Sequence, residues 1–152
     1  MTLDVLKQQI SEAAKREEKL VIFVGRPGSG KSRILRQLSH YSYVDVSREL
    51  SEKLLPVPSE KRPEKLQGFL QEIIEIREEP VLILDNIGIL FFPEANLEPL
   101  KVLAKFSKEK TLVAAWVGTY DGTTLTWSEP GRPDYRTFAM DKQSFPIIPI
   151  DQ

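Results

Sequence analysis

The run from Leu20 to Ser32, Leu-Val-Ile-Phe-Val-Gly-Arg-Pro-Gly-Ser-Gly-Lys-Ser, limits the fold more than any other part of the chain. Leu20 to Val24 is wholly apolar and rich in β-branched residues, which suits a strand buried on both faces of a parallel sheet. It leads straight into G-x-x-x-x-G-K-S/T, the Walker A pattern of a phosphate-binding loop, and Ile34, Leu35 and Leu38 then mark the apolar side of a helix. Glycines let backbone amides turn inward around an anion, and the start of a helix adds its positive end. The expected phosphate-binding residues are therefore Gly25, Arg26, Pro27, Gly28, Ser29, Gly30, Lys31, Ser32 and Arg33. Lys31 is placed to reach the β- and γ-phosphates of a nucleotide such as ATP, and the Ser32 hydroxyl to bind Mg²⁺.

The rest of the chain repeats the alternation of strand and helix. Leu3, Leu6, Ile10, Ala13 and Ala14 recur at helical spacing, so the first stretch reads as an amphipathic helix that ends in the charged run from Lys15 to Lys19. Tyr43 to Val46 reads as a second strand, and Ser47 as the cap of a helix through Leu54 that Pro56 and Pro58 cannot continue. Leu66, Phe69, Leu70, Ile73 and Ile74 form the stripe of a further helix, stopped by Pro80. Val81 to Leu84 is another apolar strand and ends at Asp85. Asn96 is expected to cap the next helix, with Pro99 in its first turn, before a strand from Thr111 to Val117. Asp121-Gly122 reads as a hairpin turn, and the last strand has no clear place in the sequence. This pattern predicts a single α/β domain over 1–152, with helices on both faces of a mostly parallel sheet. Its parts are an N-terminal helix (1–19), a nucleotide-binding core (20–119) and a tail of hairpin and irregular structure (120–152).

Composition narrows the function. At 152 residues, 41% hydrophobic and 28% charged, the chain fits one ordinary folded domain. Twenty-one basic against 22 acidic residues exclude a surface coated in positive charge, so a nucleic-acid contact would need a local patch. Lys101, Lys105 and Lys108 share a helix face and Lys110 follows, which allows such a patch or simply a solvated face. The absence of cysteine excludes disulfides and thiol nucleophiles, and the single histidine, His40, excludes a histidine cluster and reads as a surface or helix-end residue. Apolar runs such as Leu20 to Val24 and Ile87 to Phe92 fall far below the ~18 residues that suggest a membrane span. Met1-Thr2-Leu3-Asp4 lacks the form of a signal peptide, so the expectation is a cytoplasmic protein with no membrane contact.

Asp85, at the end of an apolar strand, stands where a phosphate-loop site needs a carboxylate to hold Mg²⁺ through its water shell. The order of the two motifs resembles the RecA/AAA-like branch of P-loop proteins, in which a glutamate commonly follows the aspartate and activates water. Here Asn86 follows; an amide can orient a water but cannot accept its proton, and a turn role is the competing reading. In that branch a polar residue after the next strand senses the γ-phosphate, which makes Thr119 the candidate, against a plain loop role. Arg132 and Arg136 could supply positive charge for phosphoryl transfer, in cis or across a subunit boundary, against surface salt bridging. Arg26 could touch phosphate or a neighbouring subunit, while Trp116 and Trp127 read as packing residues.

Over nearly its whole length the chain resembles the BrxF family, the small P-loop proteins of a subset of bacteriophage-exclusion (BREX) defence systems. The resemblance rests on the N-terminal helix, Gly25 to Ser32, Leu82 to Ile87, and Tyr120-Asp121-Gly122 through Pro130-Gly131-Arg132-Pro133-Asp134-Tyr135. It implies an ATP-binding AAA-like core that acts with larger defence proteins on phage or host DNA in a bacterial cytoplasm. The chain leaves no room for the helical lid of full AAA proteins, which weighs against an ATP-driven ring but leaves a homo-oligomer open. Three readings follow: a weak or partner-stimulated ATPase, a non-hydrolysing ATP-dependent assembly module, and a small-molecule or nucleotide kinase. Against the kinase, the sequence holds no arginine-rich lid segment.

Overall fold

The computed structural model describes residues 2–38, 41–140 and 145–150, so His40 lies outside the described residues. The helices are α1 (Thr2–Ala13), α2 (Lys31–Leu35), α3 (Val46–Leu54), α4 (Arg62–Glu75) and α5 (Pro99–Phe106). The strands are β1 (Leu20–Gly25), β2 (Ser42–Asp45), β3 (Val81–Asp85), β4 (Thr111–Val117), β5 (Thr124–Trp127), β6 (Arg136–Ala139) and β7 (Ile147–Pro149). Five strands form one sheet in the order β2-β3-β4-β1-β7, every pairing parallel, and β5 and β6 form a separate antiparallel pair.

Side chains of the central strands alternate between two apolar layers, as the period of two requires. Leu20, Ile22 and Val24 of β1 join Leu82, Leu84, Leu112, Ala114 and Trp116 in the layer covered by α3, α4 and α5. Val21 and Phe23 join Ile83, Val113 and Ala115 in the opposite layer, beneath α1 and α2. This double burial explains the near-continuous apolar runs of β1, β3 and β4. The expected α/β architecture, with helices on both faces of a mostly parallel sheet, is present.

Several local expectations need correction. Asn96 does not cap α5: it ends the short 3₁₀ turn Pro93–Ala95 in the left-handed region, φ 52°, and Glu98 holds the N-cap position without a side-chain bond. Asparagine tolerates that conformation better than most residues, so its turn preference overrides its capping preference here. Ser47 lies inside α3, whose cap is Asp45; the Asp45 carboxylate accepts from the Arg48 amide at 3.2 Å. The second strand accordingly ends at Asp45, one residue before Val46. Helix α4 ends at Glu75, well before Pro80, so proline is not what stops it.

The tail is more ordered than its sequence suggests. Asp121-Gly122 does reverse the chain: Tyr120 bridges Leu125, and the Asp121 carboxylate accepts from the amides of Thr124 (2.7 Å) and Thr123 (2.9 Å). Those bonds hold its carboxyl below the usual carboxylate range. The last strand, β7, lies beside β1 with Ile22 opposite Ile147, at the sheet edge, where Pro149 forfeits no ladder bond on its open side. No helix among the described residues is long and apolar enough to cross a membrane.

Candidate functional site

Parallel strands deliver their following loops to one edge of a sheet, where ligands of open α/β folds collect. The loop after β1 turns through Gly28 (φ 76°) and Gly30 (φ 96°), a conformation that L side chains rarely adopt. Gly25 is needed for another reason: a Cβ there would stand 2.5 Å from Ser29 Oγ and 2.6 Å from Ile150 Cγ2. Lys31 is 7% exposed, and its ammonium donates to the carbonyls of Gly25 (2.9 Å) and Arg26 (3.2 Å) and to Ser29 Oγ (3.4 Å). Burial pushes the Lys31 ammonium below its ordinary range, and the nearby Asp85 carboxylate opposes that shift. Helix α2 has only five residues, so the positive charge at this edge is the Lys31 ammonium more than a helix dipole.

Asp85 ends β3 with both carboxylate oxygens hydrogen-bonded. Oδ2 accepts from Ser32 Oγ at 2.7 Å and from the Tyr43 hydroxyl, and Oδ1 accepts from the Asn86 amide at 2.8 Å. Sequence reading identified Ser32 and Asp85 but missed Tyr43, which stands on β2 beneath the Arg36 guanidinium, 4.3 Å from its ring centroid. The alternation that places Ile83 and Asp85 on one face was legible; that β2 pairs with β3, Tyr43 opposite Ile83, was not. Burial is the main cause that raises the Tyr43 phenol above its usual range, and its bond to Asp85 adds to it, so it remains a donor at neutral pH.

Asn86 turns the chain away from β3 with φ 56°. Its side-chain amide donates to Asp45 Oδ1 at 2.9 Å, and its carbonyl accepts from the amide of Ser47 at 2.9 Å. Asp45 and Asp85 face each other in register across β2 and β3. The turn role weighed for Asn86 is thus supported by three partners.

A cavity of about 510 Å³ lies between the loop and the segment that connects β5 to β6. Gly28, Lys31, Ser32, Asp85 and Asn86 line one side of it; Trp127, Ser128, Glu129, Arg132 and Asp134 line the other. The second wall is anchored by aromatic packing. Trp127 stacks on Phe91 with centroids 3.8 Å apart, and its Nε1 donates to Asp134 Oδ2 at 3.2 Å. Trp116 meets both rings edge-on and donates to the Thr126 carbonyl at 2.7 Å. Both tryptophans pack, as expected. Trp127→Phe keeps an aromatic ring on Phe91 but removes the bond to Asp134, so a loss of about 1 kcal/mol is expected. For a domain of this size that is a fall of roughly 2–4 °C in Tm, readable in a thermal melt.

The remaining candidates divide. Arg132 shares the cavity with Lys31 and Asp85. Thr119 does not: its Oγ1 lies 2.8 Å from Thr126 Oγ1, and it lines a neighbouring cavity of about 400 Å³ with Arg26 and Tyr135. Arg136 donates to the Leu97 carbonyl at 2.9 Å and lines neither cavity. Arg33 is exposed on α2. The lysine face is internally engaged: Lys101 pairs with Glu98, Lys108 with Glu17, Lys110 caps the Ile74 carbonyl and Lys105 lies over Phe106.

Chemically, one sheet edge presents a partly desolvated ammonium beside hard oxygen donors. Among the described residues no group of three or more His, Asp or Glu could enclose a metal ion. A divalent cation held here by Ser32 and Asp85 would complete its shell with water and anionic ligand oxygens, the habit of Mg²⁺ rather than of structural metals. No protein-family model matches the chain, and no curated protein matches it.

Proposed function

We propose that this chain is a P-loop protein that binds ATP with Mg²⁺ and is a weak or partner-stimulated ATPase. The observation that carries the reading is the meeting of three side chains from two motifs: Lys31 buried against its own loop, and Ser32 Oγ 2.7 Å from the Asp85 carboxylate. The Lys31 ammonium, now satisfied by loop carbonyls, would exchange those acceptors for phosphate oxygens, a stronger charge-assisted bond. Ser32 and Asp85 would hold Mg²⁺, whose chemistry is to neutralise charge on the phosphate oxygens. Arg132, from the opposite wall, adds positive charge to the cavity in cis.

Water activation is the weak part of the site. Asn86 cannot take a proton, and its amide is committed to Asp45. Slow turnover by the isolated protein follows. The same observation favours a second reading, an assembly module that binds ATP without hydrolysing it and stabilises a complex by mass action. The resemblance to BrxF proteins supplies the setting, a regulatory or assembly subunit that works with larger proteins of a bacterial anti-phage complex, on its own or as a homo-oligomer.

ATP binding and turnover with Mg²⁺, with Lys31→Ala as blank, test this. Turnover above the blank supports the ATPase, and Lys31-dependent binding without turnover supports the module. Phosphoryl transfer that requires a second substrate's hydroxyl would make the chain a kinase. Binding that ignores Lys31 overturns all three.

A further inference from the structure

We infer that Tyr43 is the positioning residue of the cation site, the group that fixes the Asp85 carboxylate plane; the inference rests on the proposed role of Asp85. The torsion that turns an aspartate carboxylate is soft, so its plane is set by the donors around it. Asp85 has three: the Asn86 amide on Oδ1, and Ser32 Oγ and the Tyr43 hydroxyl on Oδ2. A serine hydroxyl carries one hydrogen and two lone pairs, so Ser32 could offer its oxygen to a cation while still donating to Oδ2. Ser32 would then be shared with the cation, and Tyr43 and Asn86 are the donors that serve the carboxylate alone.

Tyr43 suits that task physically. It is a neutral donor, so it orients the carboxylate without placing a positive charge beside the cation. Its ring is held on β2 under the Arg36 guanidinium, and the hydroxyl reaches Asp85 across the paired strands β2 and β3. Partners of this kind behind a metal-binding group are worth about 10–100-fold in metal affinity.

The test is Tyr43→Phe, which keeps the ring beneath Arg36 and removes only the hydroxyl, read by binding of a fluorescent ATP analogue across a Mg²⁺ titration and in EDTA. The Mg²⁺ concentration for half-maximal enhancement of binding is expected to rise about tenfold, with affinity in EDTA unchanged. In an Asp85→Ala background the same substitution is expected to change nothing further, because the group it positions is gone. Equal weakening with and without Mg²⁺ would make Tyr43 a packing residue and overturn the inference. So would a wild-type Mg²⁺ curve for Tyr43→Phe while Lys31→Ala abolishes binding; in that case the proposed function survives alone. Binding that is unchanged in Lys31→Ala removes both.

Discussion

Lys31→Ala is expected to lower affinity for ATP at least about thirtyfold. Truncating one partner of a buried, hydrogen-bonded charge pair costs about 2–5 kcal/mol, and each 1.4 kcal/mol is a factor of ten. Lys31 fits that class, because its ammonium is buried at the start of α2 and held by two loop carbonyls and Ser29 Oγ. The substitution also unties the loop, so Lys31→Met, which keeps most of the stem, separates charge from packing. Both variants are expected to lose binding if charge is the cause. Asp85→Ala is expected to behave differently, removing the enhancement by Mg²⁺ while leaving metal-free affinity near wild type. Calorimetric titration with Mg²⁺ and with EDTA checks the contrast, and unchanged affinity in both Lys31→Ala and Asp85→Ala would sink the site.

The parts of this site that could be read from sequence are those in which neighbours along the chain do the work. Gly25 to Ser32 declares its loop because the glycines, the lysine and the flanking strand and helix are contiguous. Asp85 is legible because it closes an apolar run. Tyr43 was invisible, since its partner lies 42 residues away and only the pairing of β2 with β3 brings them together. Arg132 and Arg136 illustrate the same limit from the other side. Four residues apart in one arginine-bearing stretch, they part company because β6 carries Arg136 to the Leu97 carbonyl, while Arg132 stays in the connecting segment beside the cavity. Local chemistry also misled where one residue type serves two turns, as with Asn96 and Ser47. Each can cap a helix, and each was taken instead by a competing backbone geometry or partner.

Asn86→Glu tests whether the missing carboxylate limits turnover, and alone it is expected to fail. Asn86 sits at φ 56°, where a larger side chain costs about 1–2 kcal/mol, and the lost bond to Asp45 removes about 1 kcal/mol more. The new carboxylate would also meet Asp45 directly, like charge against like. A loss of about 2–3 kcal/mol with no gain in turnover is therefore expected. The exchange Asp45→Asn with Asn86→Glu removes the repulsion, because an amide at the end of β2 then donates to a carboxylate just past β3, the present bond reversed. Asparagine caps helices about as well as aspartate, so α3 keeps its start. The double variant is expected to regain about half of the lost stability, the strain at position 86 remaining. It also places a proton acceptor beside Lys31 and Asp85, where general-base catalysis contributes about 10²–10⁴-fold, so a rise in kcat of at least about tenfold is expected. Thermal melts and ATP turnover of the two single variants and the double variant decide it. If stability returns without faster turnover, the limit lies elsewhere in the cavity, and the carboxylates of Glu129 and Asp134 on its far wall become the groups to replace.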